Sequence, residues 1–171
     1  SQSPFTHAHP PGTRGVQVGS GLPTDGIRYV FKKGLKATPE KKMYFNLDFR
    51  TRAGSDQKGA YRFYLGQGVV QSLALECSIT ADEFAIRDGG NWDVIRSLET
   101  GTWYTLQITI DPASKTYSGI VGPKDDLTEF RNRKLAPAWN GIMDCFICDA
   151  TGPLAGPACA RDIDNLGLQE S

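Results

Sequence analysis

From Met43 to Arg50 apolar and polar side chains alternate without a break. Met43, Phe45, Leu47 and Phe49 fall on one face, and Tyr44, Asn46, Asp48 and Arg50 on the other. A period of two over eight residues is the mark of a strand with one face on a core and one toward water. The same period recurs along the chain. Tyr61 to Leu65 puts Phe63 and Leu65 inward and Arg62 and Tyr64 outward, and Leu73, Leu75, Cys77 and Ile79 alternate with Ala74, Glu76 and Ser78. Phe84 and Ile86 follow, then Tyr104, Leu106, Ile108 and Ile110, a turn at Asp111-Pro112, and a return strand over Lys115 to Val121. Val16 to Val18 and Ile27 to Phe31 supply early strands and Asp162 to Leu168 the last. Turn-forming clusters such as Gly89-Gly90-Asn91 and Gly152-Pro153 separate the runs.

No stretch of a dozen residues carries a 3.6-residue stripe, and nineteen glycines and ten prolines weigh against helix. The pattern predicts an all-β fold of two antiparallel sheets packed face to face, each with one wet face. The first 15 residues, rich in Ser, Pro and Gly, read as an N-terminal arm or linker, and 16–171 as a single sandwich domain. First and last strands in such sandwiches lie near each other, which suits a module carried by a larger protein.

Nineteen basic and nineteen acidic side chains cancel, which removes the electrostatic case for a nucleic-acid or anionic-membrane partner. No apolar run approaches the roughly 20 residues of a membrane span. Four cysteines, Cys77, Cys145, Cys148 and Cys159, allow three pairings, and disulfides in an oxidising compartment fit them better than other chemistry does. Cys145 and Cys148 have C-x-x-C spacing but no second such pair, no nearby histidine and no following helix, so zinc or dithiol redox chemistry lacks its context. The first expectation is a Cys148–Cys159 bridge closing a Gly/Pro-rich loop.

The run Gly101-Thr102-Trp103-Tyr104-Thr105-Leu106-Gln107-Ile108-Thr109-Ile110-Asp111, with Lys115-Thr116-Tyr117-Ser118-Gly119 after it, resembles the G-x-W-[HY]-x-L/V strand and hairpin of laminin-G-like and concanavalin A-like domains. Phe45 to Arg50 resembles their early core strand, and Arg161-Asp162-Ile163-Asp164-Asn165-Leu166-Gly167-Leu168 resembles the I-D-N-[IVL]-x-[LI] closing strand of that group. The resemblance implies a jelly-roll sandwich, commonly extracellular, often a companion domain of a polysaccharide-degrading or surface protein, and sometimes holding a calcium ion. It implies a structural core role for Trp103. It also points to Asp162, Asp164 and Asn165 as ligands for structural Ca2+, an ion that takes oxygen donors.

The fold hosts lectins, adhesion modules, glucanases and alginate lyases, so function rests on the site. A retaining glucanase needs two carboxylates about 5 Å apart on one face. No E-x-D-x-x-E run is present, and Asp48 with Glu76 is the one pair that a shared sheet face would bring together. A lyase site would need a strand histidine, and both histidines, His7 and His9, lie in the N-terminal arm. A non-catalytic module is therefore expected. Sugars are held by aromatic faces and planar polar side chains. The outward set Tyr44, Asn46, Asp48, Arg50, Arg62 and Tyr64 has that chemistry if its strands are neighbours, and Trp92 and Trp139 are further platforms beside turns. The reading is a carbohydrate-binding, lectin-like accessory module of an extracellular, cell-surface or periplasmic protein, with a polysaccharide or oligosaccharide ligand. The alternatives are a protein-interaction or structural sandwich and, behind it, a polysaccharide hydrolase or lyase.

Overall fold

The computed structural model describes residues 16–18, 26–52, 59–69, 71–150 and 157–171. The N-terminal arm with His7 and His9, and the turn at Gly152-Pro153, lie outside the described residues. The described residues form twelve strands and no helix. They are β1 (Val16–Val18), β2 (Ile27–Lys36), β3 (Met43–Thr51), β4 (Tyr61–Gln67), β5 (Ser72–Ile79), β6 (Glu83–Asp88), β7 (Asn91–Ser97), β8 (Tyr104–Asp111), β9 (Thr116–Gly122), β10 (Thr128–Lys134), β11 (Ile142–Asp149) and β12 (Arg161–Glu170).

Two antiparallel six-stranded sheets result, in the orders β1-β12-β3-β8-β9-β10 and β2-β11-β4-β5-β6-β7. The chain is a two-sheet β-sandwich, and β1 does pair with β12, the last strand. Alternation explains the core. Phe45, Leu47 and Phe49 of β3 turn inward with Tyr104, Leu106 and Ile108 of β8, all nearly inaccessible to solvent. Phe63 on β4, Phe84 on β6 and Phe146 on β11 meet them from the second sheet. Phe49 lies at the centre, edge-on to Phe63 at 5.4 Å between centroids and stacked with Phe84 at 6.0 Å and Tyr104 at 5.6 Å. Each such ring buries a large apolar area and adds a favourable quadrupole contact.

Two expectations are corrected here, the Cys148–Cys159 bridge and the inward place of Leu73. Ile142–Asp149 is a central strand, β11, paired on both sides with β2 and β4. Residues three apart on a strand point to opposite faces, so Cys148 enters the core while Cys145 turns outward to pack with Tyr64 and Ile147. That geometry denies the C-x-x-C any joint chemistry. The Cys148–Cys159 bridge is not formed either, since all four cysteines stand as buried thiols. Cys148 instead accepts a contact from Nε of the fully buried Arg161 at 3.4 Å, and the Arg161 guanidinium lies over the Tyr61 ring at 4.9 Å. Leu73, in turn, does not continue the inward row of Leu75, Cys77 and Ile79. The β4–β5 register shifts between Leu65 and Gly66, and Leu73 joins the outer Tyr64 cluster. Gly66 permits this approach, because a Cβ there would stand 2.0 Å from the Ser72 carbonyl oxygen.

Candidate functional site

The alternation assigns sides correctly, but β3 and β4 belong to different sheets, so the outward set divides between opposite faces of the sandwich. Tyr44, Asn46, Asp48 and Arg50 lie on the outer face of the first sheet, whereas Arg62, Tyr64, Glu76, Arg87 and Trp92 lie on the outer face of the second. The single groove expected from the sequence is therefore two surfaces. Asp48 and Glu76 are likewise on opposite sheets and form no carboxylate pair.

The first face is closed. Tyr44, Asn46 and Asp48 are 4%, 5% and 2% exposed, and Thr105 and Gln107 beside them on β8 are buried as well. A polar side chain in such a place requires partners. Asp48 accepts a hydrogen bond from Thr105 Oγ1 at 2.7 Å and another from Asn165 Nδ2 at 2.7 Å. Asn46 Nδ2 donates to the Asn165 carbonyl at 2.8 Å. Asn165 reaches both because β12 bulges between Asp164 and Gly167, where Asn165 adopts a left-handed backbone with φ 53°. Asparagine is among the residues that tolerate that conformation.

The same network disposes of the proposed calcium ligands. Asp162 faces two guanidiniums, with Arg50 Nη2 at 2.7 Å and Arg52 Nη2 at 2.9 Å, and Asp164 Oδ1 accepts the Asn165 N–H at 2.7 Å. Two cations on Asp162 leave no place for a third. The residues present do not fit a calcium ion, and no group of three His, Cys, Asp or Glu able to hold a metal occurs among the described residues. Trp103 is also not a core residue. Tyr104 takes the inward place, and Trp103 is half-buried beneath the Arg50 guanidinium, 4.8 Å from the ring centroid.

The second face is open along one side. Asp149, Arg62, Glu76, Arg87 and Trp92 are linked by side-chain contacts into a row running obliquely across β11, β4, β5, β6 and β7. Arg62 spans Glu76 and Asp149 at 3.2 Å each, Arg87 approaches Glu76 at 3.9 Å, and its guanidinium lies over the half-buried Trp92 ring at 5.3 Å. The acids beside it hold the Arg62 guanidinium above its ordinary value despite its burial. Trp92 is set by the tight turn at Asp88-Gly89-Gly90-Asn91, in which Gly89 takes φ 61°. Tyr64 is no platform. It is 2% exposed beneath Arg62, whose guanidinium lies 4.3 Å from its ring, and burial pushes its hydroxyl up to about 12.

Two grooves adjoin this row. One, of about 230 Å³, is lined by Leu73, Leu75, Glu76, Arg87, Lys134 and Pro137. The other, of about 560 Å³, is lined by Ala37, Pro112, Lys115, Lys134, Pro137 and Trp139 at an end of the sandwich. They meet at Lys134, Ala136 and Pro137. The connection after β10 makes this possible, because Ala136 N–H bonds to the Ala74 carbonyl where β6 has already left β5. Trp139 is fixed by donating Nε1–H to the Ile142 carbonyl at 2.8 Å, so one edge of the indole is tied to the fold. The sequence reading picked out Arg62, Trp92 and Trp139 but missed Lys115, Lys134 and the prolines. Their signal is positional only, since they converge through the β8–β9 and β10–β11 connections.

No protein-family model matches this sequence, and no curated protein matches it. Solved structures share the fold. Arcelin-5, a lectin-like defense protein from Phaseolus vulgaris, is similar over 92% of this chain and 86% of its own, with a TM-score of 0.64 at 10% identity. A lectin from Bauhinia forficata, solved in complex with GalNAc, is similar over 95% of this chain and 89% of its own, with a TM-score of 0.60 at 12% identity. A sialidase is similar with a TM-score of 0.65 at 12% identity over 91% of this chain, which spans 15% of the sialidase chain. At these identities the likeness establishes the fold, and the site must carry the function.

Proposed function

We propose that the chain is a non-catalytic carbohydrate-binding module of the lectin type, within the concanavalin A-like and laminin-G-like group that its Trp103 strand and closing strand resemble. It would serve as the recognition domain of an extracellular or cell-surface protein. The observation that carries the reading is the Glu76–Arg87–Trp92 constellation opening into a groove that runs past Pro137 to Trp139. Sugar rings stack their C–H faces on indole and proline surfaces, while guanidinium and carboxylate groups bond to hydroxyls in the ring plane. Arg62 holds Glu76 in place at 3.2 Å, so the carboxylate is pre-set before a ligand arrives. The acids of this face already oppose guanidiniums, which supports binding over general acid–base work.

Affinity electrophoresis of the domain through gels containing plant, algal and microbial polysaccharides tests the proposal. Retardation by at least one polymer that weakens on Trp92→Ala is the expected result. Mobility unaffected by any polymer would refute it.

A second reading has one observation in its favour. Val30 on edge strand β2 and Val94 on edge strand β7 are 59% and 55% exposed on the second sheet. Apolar side chains on open edges are a means of docking another protein. The same edge strand carries Lys32, Lys33 and Lys36, charges that discourage strand-to-strand association. We therefore place this reading behind the first.

A further inference from the structure

We infer that the groove selects an acidic glycan, one bearing carboxylate or sulfate groups along its length. This rests on the carbohydrate-binding reading above and adds the class of ligand to it. Three cations, Lys115, Lys134 and Arg87, line the joined grooves against one acid, Glu76, which already opposes Arg62 and Arg87. Neither the Lys115 nor the Lys134 ammonium has a carboxylate within 4 Å among the described residues, and both residues are exposed. Of the acids on the β6–β7 hairpin, Asp88 accepts the Lys134 backbone N–H at 2.8 Å and lies 3.8 Å from Arg133, and Asp93 faces Arg133 at 2.8 Å.

The whole chain carries zero formal net charge, so this positive groove is a local arrangement and not a share of a general surplus. A concave site with unopposed cations concentrates anions by focusing the field within it. An ammonium is a compact charge that serves carboxylate and sulfate alike, so both forms of acidic glycan fit.

The backbone at Lys115 points the same way. It closes the β8–β9 turn at φ 57°, in the left-handed region where glycine is the easiest occupant. Asp111 Oδ1 accepts the N–H groups of Ala113 and Ser114, and Leu135 N–H bonds to the Lys115 carbonyl, so the turn is pinned against the groove wall. A lysine at that position keeps an ammonium at the groove mouth at the expense of backbone ease.

The test compares matched polymers by affinity electrophoresis: dextran against dextran sulfate, and galactomannan against alginate and polygalacturonate. The inference expects stronger retention by the acidic member, weakening as salt rises from about 20 to about 500 mM. The Lys115→Gln/Lys134→Gln double variant should bind acidic polymers roughly tenfold more weakly. The Lys32→Gln/Lys36→Gln control on the far edge of the sheet should bind as wild type. Lys115→Gly supplies a second check, with retention reduced while the melting temperature holds or rises. Equal retention of neutral and acidic polymers, or a control as damaged as the groove variant, would overturn the inference and leave the glycan-binding proposal standing. Retention by no polymer would overturn both.

Discussion

The two outer faces of this sandwich carry similar residues and do different work. On the first sheet, Tyr44, Asn46, Asp48, Thr105 and Asp162 are buried; Asp48 bonds to Thr105 and Asn165, Asn46 donates to the Asn165 carbonyl, and Asp162 pairs with Arg50 and Arg52. On the second, Arg87, Trp92, Lys134 and Trp139 stand beside open grooves with polar groups facing solvent. A polar side of an alternating strand is thus a statement about direction, not about access. Burial and a shared hydrogen-bond network give the first face an architectural role, and exposed charge beside indole rings is what supports the proposal that the second face is the one for recognition.

The comparison breaks most visibly at Asp48. Asp48→Ala removes two charge-assisted hydrogen bonds at once and strands Thr105 and Asn165, so unfolding free energy should fall by roughly 3 kcal/mol. Urea denaturation measures the loss, and glycan retention by the folded fraction should be unchanged. Arg87→Ala should do the reverse, weakening retention about tenfold while stability shifts by less than about 1 kcal/mol, because its pairing with Glu76 at 3.9 Å is loose and partly exposed. Asn46→Ala gives a smaller effect. Its Nδ2 bond to Asn165 is lost, but its buried Oδ1 has no partner among the described residues, so the cost is about 1 kcal/mol with no change in binding.

High pH gives the gentlest probe. Burial raises the Cys148 thiol from 9.0 to about 11, only partly offset by Arg161, and raises the Tyr64 hydroxyl from 10.0 to about 12. Between each pair of values the unfolded chain has released a proton that the folded chain retains. Stability is therefore intact below pH 9 and declines as pH rises from there toward 12. Melting temperature measured across that range should fall steadily, and a Cys148→Ala variant should show a shallower early slope, because burial also raises the Cys77 and Cys145 thiols.

Much of the fold was legible in the sequence because β3, β5, β6 and β8 each turn an apolar row to the core and a mostly polar row away from it. Met43, Phe45, Leu47 and Phe49 line the core as their period predicts, although the alternating Tyr44, Asn46 and Asp48 are buried too. Strand β11 escaped because both of its faces are covered, by the core on one side and by Tyr64 and Leu73 on the other, so its pattern does not alternate. Strands β7 and β10 escaped for the opposite reason, being edge strands whose exposed positions accept any residue.

The site was half legible. Chemistry identified Arg62, Trp92 and Trp139 as unusual, but alternation says nothing of which strands pair. Only the sheet orders separate Tyr44 from Arg62, and only the β10–β11 connection brings Lys134 and Trp139 into one groove. Likewise, Asp162, Asp164 and Asn165 form a cluster of oxygens in sequence, yet Arg50 and Arg52, distant along the chain, decide that Asp162 is an ion-pair partner.

The central claim is that the second sheet and its end groove form the recognition face. Amide hydrogen exchange of the domain, with and without the polysaccharide that retards it most, tests this directly. The account predicts added protection at 73–76, 87–92 and 134–141 and none along β3 and β12. Protection confined to β3, β8 and β12 would contradict it and move recognition to the opposite face.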